Sequence, residues 1–146
     1  RVLGWDQPHR LSSSLSISIP QGVGPEVFGI RPLERVNASL IYTAAAGKPY
    51  TPTTKEKTLE PNSGRRPWTF TWSAKLYRDF ESFGLRYSIF ADVRNLFNRK
   101  NIVSVYSRTG KADDPGPGAT SYSESYDRWH YYSRPRSIDI GIRIFF

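Results

Sequence analysis

The residues best equipped for chemistry stand close together before the last strand-like segment. Tyr122, Tyr126, Arg128, Trp129, His130, Tyr131 and Tyr132, with Arg134 just behind, set flat aromatic faces beside guanidinium groups. Aromatic faces stack on sugar rings, and arginine forks bind carboxylate or chelate oxygens, so this stretch suits a glycan or an anionic chelate. Tyr122, Tyr126, Arg128, Trp129, Tyr131 and Tyr132 are the expected substrate contacts. The competing reading gives the same rings a packing role, because Tyr and Trp settle where apolar surface meets water.

Other chemistry thins out quickly. Asp113 and Asp114 offer a calcium ion fewer carboxylates than such sites use, and solvated turn residues are the better reading of them. His9 and His130 lack ligand spacing, so no metal site is expected. No nucleophile, acid/base pair or phosphate loop can be assembled; neither a catalytic residue nor a cofactor is expected. Cysteine is absent, which excludes disulfides and thiolate chemistry. The net charge of +8 would suit nucleic acid, yet the basic residues are scattered through turns without forming a stripe, and no nucleic-acid partner is expected.

The elements that must position these residues are strands. Leu11, Leu15, Ile17 and Ile19 alternate with Ser12, Ser14, Ser16 and Ser18, and Ser13 alone interrupts the apolar set. A second alternating run covers residues 34–46, with Val36, Ala38, Leu40, Tyr42 and Ala44 on one face. A third covers 68–77, where Trp68, Phe70, Trp72, Ala74 and Leu76 oppose Thr69, Thr71, Ser73 and Lys75. In a fourth, Leu85, Tyr87, Ile89, Ala91 and Val93 oppose Arg86, Ser88, Phe90, Asp92 and Arg94. The fifth, residues 137–146, sets Ile138, Ile140, Ile142, Ile144 and Phe146 against Ser137, Asp139, Gly141, Arg143 and Phe145. Val27, Phe28 and Ile30, in the first connection, are expected to tuck back against the sheet, and residues 78–84 to form the link between the third and fourth strands. Residues 102–106 either prolong the fourth strand or start a small hairpin. No helix with caps and a 3.6-residue period can be found.

This pattern predicts an all-β fold, an antiparallel meander of about five long strands in one domain spanning residues 1–146. A soluble sheet with one face on a core gives the same alternation, so a soluble β-rich module binding glycans or anions is one reading. Three features favour a membrane. The strands match the roughly ten residues that a tilted strand needs to cross a bilayer. The connections alternate between shorter and longer, which places the long ones at one end of the sheet. Aromatics gather at strand ends, with Trp68 and Phe70 toward the long connections and Tyr77, Phe80, Phe83 and Phe146 toward the short ones. The polar faces, carrying Lys75, Arg86, Asp92, Asp139 and Arg143, suit a wet lumen, and the chain holds no hydrophobic reserve for a second packed sheet.

The closing residues carry a family resemblance. Asp139-Ile140-Gly141-Ile142-Arg143-Ile144-Phe145-Phe146 resembles the terminal assembly signal of outer-membrane proteins, with Asp139, Gly141, Ile144 and Phe146 in the signal positions. Together with Arg134-Pro135-Arg136, Asn95-Leu96-Phe97-Asn98 and Gly47-Lys48-Pro49-Tyr50-Thr51-Pro52, it resembles the C-terminal part of a TonB-dependent receptor. The resemblance covers nearly the whole chain, most firmly residues 68–146. It implies a barrel of roughly 22 strands in the outer membrane, plugged by an N-terminal domain. It also implies active import of a scarce solute such as a siderophore or glycan. The implied partners are outer-membrane lipid, the remainder of the barrel in the same or another chain, the barrel-assembly machinery, and the TonB complex through the plug. Five strands cannot enclose a lumen, so the chain is expected to be a piece of a longer protein or a subunit completing another chain's barrel. A barrel enzyme or adhesin is a further alternative.

The signal reading makes Phe146 testable. Its deletion is expected to impair insertion by the assembly machinery while leaving the apolar alternation intact; normal formation of a heat-modifiable barrel by the shortened protein would refute the signal.

Overall fold

The computed structural model describes residues 2–54, 58–117 and 128–145. Five strands form one antiparallel sheet, open at both edges. They are β1 (Arg10–Ile19), β2 (Val36–Ala45), β5 (Thr69–Ser82), β6 (Leu85–Arg94) and β7 (Ser137–Phe145), adjacent in that order. Between β2 and β5, the short strands β3 (Pro49–Tyr50) and β4 (Gly64–Arg65) pair antiparallel in a separate ribbon. A single 3₁₀ turn, Trp129–Tyr131, precedes β7.

The alternation read from the sequence becomes a continuous apolar face through the ladder. Ala74 lies opposite Val93 and Leu76 opposite Ala91; Ala91 in turn faces Ile140, Ile89 faces Ile142 and Tyr87 faces Ile144. The polar face runs beside it, with Lys75 opposite Asp92, Asp92 opposite Asp139 and Ser88 opposite Arg143. A shift of one residue would exchange the two faces, so the ladder and the pattern specify the same register.

Two expectations are corrected here. The third long strand does not stop at Tyr77; β5 continues to Ser82, and only Phe83 and Gly84 link it to β6. Arg78 therefore lies on the apolar face opposite Ile89, and Tyr77 lies mid-strand on the polar face opposite Phe90 instead of at the strand end. Arg78 broke the apolar alternation, which is why the pattern seemed to end there. Its Nη2 donates to the Arg31 carbonyl at 3.4 Å, and its Nε is buried without a partner.

Val27, Phe28 and Ile30 do not tuck against the sheet either. Val27 and Ile30 exchange backbone hydrogen bonds of 2.9 and 3.1 Å, closing a two-residue hairpin whose tip, Phe28, is wholly exposed. Phe28-Gly29 and Phe83-Gly84 are the same device. Both residues of each pair have positive φ, the requirement of a type I′ turn, and Phe83 is 98% exposed. A phenylalanine in the left-handed region costs about 1–2 kcal/mol, which burial of these rings does not offset.

The chain divides into two compact units. One comprises Arg1–Leu11, Thr43–Phe70 and Arg99–Pro135 and holds both long connections. It has a small core of Ala44, Ala45, Ala46, Val105, Tyr106 and Ala112, all buried. The other comprises Ser12–Tyr42, Thr71–Asn98 and Arg136–Phe146. Among its described residues no large apolar side chain is buried, and the isoleucines of β7 stand open, Ile140 being 74% exposed. On β6 the usual order is inverted: Ser88 of the polar face is 8% exposed, whereas Ile89 of the apolar face is 41% exposed.

β5 outruns β6, since its ladder with β6 begins at Ala74. Backbone groups ahead of that point need other partners. Asn101 supplies them at Phe70: its Oδ1 accepts from Phe70 N at 2.8 Å, and its Nδ2 donates to Phe70 O at 2.7 Å. The amide imitates one residue of a neighbouring strand, and it is buried. Residues 102–106 accordingly extend no strand; Ile102 makes only an isolated bridge to Tyr132. Asn101→Ala would leave both Phe70 groups unpaired and is expected to lower stability by about 1–3 kcal/mol, whereas Asn101→Asp, which keeps only the acceptor, should retain part of it; denaturant melts of the two variants check the order.

Candidate functional site

The sequence places its candidate contacts in a loop, and the structure brings only part of that set together. Arg128 is the organiser. Its guanidinium lies 5.1 Å from the Tyr106 ring centre and 5.4 Å from that of Tyr131, and it donates to the Tyr131 hydroxyl at 3.2 Å. Tyr106 and Tyr131 meet edge to face at 5.0 Å, and Tyr106 is buried. His130 stands edge-on to both Trp129 and Tyr131. Tyr132 faces Lys100, whose ammonium is 5.7 Å from the ring centre. Trp129 is 85% exposed, and its ring is free to stack on a ligand. Tyr122 and Tyr126 lie outside the described residues.

Arg128 and Tyr131 are thus engaged with each other and with Tyr106, a residue the sequence reading did not include. The signal for Tyr106 was weak, because one tyrosine in a glycine-containing loop has no periodicity to mark it. Its place is fixed by the loop's own bonds, Tyr106 N to Lys111 O and Gly110 N to Tyr106 O, both 2.8 Å.

The two adjacent carboxylates separate in role. Asp114 Oδ1 accepts from Gly116 N at 2.9 Å and Oδ2 pairs with Lys111 at 3.3 Å. The Gly116 bond, followed by Lys111, holds the Asp114 carboxyl below its ordinary value. The side chain closes its own turn, a local Asx arrangement. No group of three potential metal ligands occurs among the described residues.

The signal positions take defined places on β7. Asp139 pairs with Arg94 at 3.2 Å, and Ile144 lies on the apolar face opposite Tyr87. Phe146 lies outside the described residues. Gly141 sits opposite Phe90, whose ring covers it so closely that a Cβ there would lie 2.6 Å from Phe90 Cζ. Arg143, next along the same face, holds its guanidinium 4.8 Å from the centre of that ring. Phe90, an apolar residue on a polar face, is explained by this: its ring fills the groove left by a glycine and carries a cation on its other contact.

A second aromatic series occupies the unit of the long connections. His9 stacks on Trp68 at 6.2 Å, Trp68 on Phe70 at 6.3 Å, and Arg99 lies 4.9 Å from the Phe70 ring centre. No family model, no curated protein and no solved structure matches this chain.

Gly141 and Phe90 form a pair whose coupling can be measured. Gly141→Ala is expected to cost about 1–3 kcal/mol by displacing the ring, and in a Phe90→Ala background the same change should cost much less. Equal costs in both backgrounds, read from unfolding in detergent, would show that the ring does not set the requirement for glycine.

Proposed function

We propose that this chain is a membrane-spanning section of an outer-membrane β-barrel serving a TonB-dependent active transporter, which imports a scarce solute such as a siderophore or glycan. The observation that carries the reading is the uncovered apolar face. A sheet that shows Leu15, Ile89, Ile140 and Ile142 outward while keeping Ser88 in is built for apolar surroundings on that side. In water, each of those side chains forgoes about 1.5–3 kcal/mol of burial.

Strand length supports the same reading. β1, β2 and β6 have 10 residues each, β7 has 9 and β5 has 14, against the roughly 9–11 that a tilted spanning strand uses. Aromatics mark both ends of β5: Trp68 and Phe70 stack at its start, and Phe80 stacks on Tyr87 at 5.1 Å near the β5–β6 turn. Interfacial belts have this composition.

In this role the apolar face meets outer-membrane lipid. The open edges of β1 and β7 pair with the remaining barrel strands, because an edge left in hydrocarbon strands its backbone groups. The polar face contributes lumen wall. The assembly machinery reads Asp139, Gly141, Ile144 and Phe146, and the TonB complex acts through a plug. The loop residues Arg128, Trp129, Tyr131 and Tyr132, with Tyr122 and Tyr126, contribute to the outer surface that meets solute, and the chain does no catalysis.

Two measurements test the membrane role. The protein should fractionate with outer membranes and need detergent for extraction; partition into the aqueous phase without detergent would leave a soluble glycan- or anion-binding module instead. Ile140→Lys provides the second. It should cost about 2–4 kcal/mol in a bilayer if that face meets lipid, whereas a face in water would register within about 0.5 kcal/mol.

A further inference from the structure

The ribbon of β3 and β4 places two cations across from each other. Pro49 faces Arg65 and Tyr50 faces Gly64, so the next pair outward is Lys48 and Arg66, joined by an Arg66 N to Lys48 O bond of 3.1 Å. Gly47 makes the approach possible, since a Cβ at that position would lie 1.7 Å from the Arg66 carbonyl oxygen. Like charges directly opposite on an antiparallel pair repel. The neighbouring Arg65 is neutralised by Asp6, but no carboxylate pairs with Lys48 or Arg66 among the described residues.

Both cations line one cleft of about 230 Å³ within the unit of the long connections, together with Gln7, Thr69, Ile102 and Val103. The Arg66 Nη1 group donates to the Val103 carbonyl, which fixes the guanidinium in the wall. Its Nε is buried and has no hydrogen-bond partner among the described residues. The Gln7 side-chain nitrogen donates to Ala46 O at 2.9 Å, and the Thr69 hydroxyl, 3.5 Å from Ala45 O, can turn to donate to an anion.

We infer that this cleft is an oxyanion site, taking a phosphate or carboxylate group between the Lys48 ammonium and the Arg66 guanidinium. An anion there removes the repulsion across the ribbon. The volume is below that of pockets for drug-sized ligands, so the occupant is a small anion or one charged group of a larger molecule. The site does not depend on the membrane role, because the ribbon and the cleft belong to the unit with its own small core.

The test is ³¹P NMR titration of the purified full-length protein in detergent with inorganic phosphate and, separately, with monomeric dihexanoyl phosphatidic acid. Wild-type protein should bind inorganic phosphate, and Lys48→Gln should weaken it by about tenfold or more. Lys48→Glu should abolish binding while raising the melting temperature, since the new carboxylate pairs with Arg66. Lys48 is exposed and its side chain has no hydrogen-bond or ion-pair partner among the described residues, so both variants should fold. Binding of phosphatidic acid alone, lost in Lys48→Gln, would identify a lipid headgroup as the source of the same chemistry. Absence of binding by either probe, or affinities unchanged in both variants, would overturn the site.

Discussion

The sheet rests on one constraint, an apolar face whose large side chains stand open among the described residues. Burial of apolar surface is the main favourable term in folding, and a sheet in water obtains it by packing one face on a second layer. Here the apolar face runs through four paired positions of the last two strands, Tyr87–Ile144, Ile89–Ile142, Ala91–Ile140 and Val93–Ile138, without meeting such a layer among the described residues. The energetic demand then shifts to the backbone. Strand pairing has to be complete wherever the medium offers no hydrogen bonds, and the long regular ladders of β5, β6 and β7 meet that demand.

Where the ladders run out, single side chains take over their work. Asn101 closes the Phe70 backbone with both arms of its amide. Asn98 Oδ1 accepts from Arg136 N at 2.9 Å as the chain returns toward β7, and Asn95 and Asn98 both adopt positive φ at the end of β6. Asparagine tolerates the left-handed region and mimics a peptide group, so these positions combine a turn with a substitute strand. The phenylalanine–glycine turns have no such local advantage. Phe28 and Phe83 occupy a conformation that favours asparagine or glycine, and they stay exposed.

The sequence made the five long strands and their faces legible because period-two alternation records which side of a strand is apolar, whatever lies against it. Four of the five strands match in extent to within a residue or two. The fifth, β5, was cut short at Tyr77 because Arg78 on the apolar face looked like the start of a turn. Turn chemistry hid the two-residue turns as well: residues 78–84 read as the link of a hairpin, but Phe-Gly is not a usual type I′ pair, so neither Phe28-Gly29 nor Phe83-Gly84 stands out as a turn. In the candidate site, the loop aromatics were legible as a composition, but Tyr106 and the cover of Gly141 by Phe90 depend on contacts across many residues. Short strands such as β3 and β4 carry too few residues to show a period at all.

The two units differ in the kind of interior they possess, and this difference separates the roles of their polar groups. Around Ala44, Ala45, Ala46, Val105, Tyr106 and Ala112 there is a conventional interior, and beside it the half-buried Arg66 is held by the Val103 backbone carbonyl. On the sheet, Arg94, Asp139, Arg86 and Glu81 pair while remaining more than half exposed, and pairs of that kind contribute little to stability. Their value lies in what they present. A wall of exposed, mutually compensated charges keeps a surface wet without giving it a strong net field, whereas two uncompensated cations facing each other across a rigid ribbon concentrate one. Selective capture of an anion requires the second arrangement, and within the described residues the Lys48–Arg66 pair provides it.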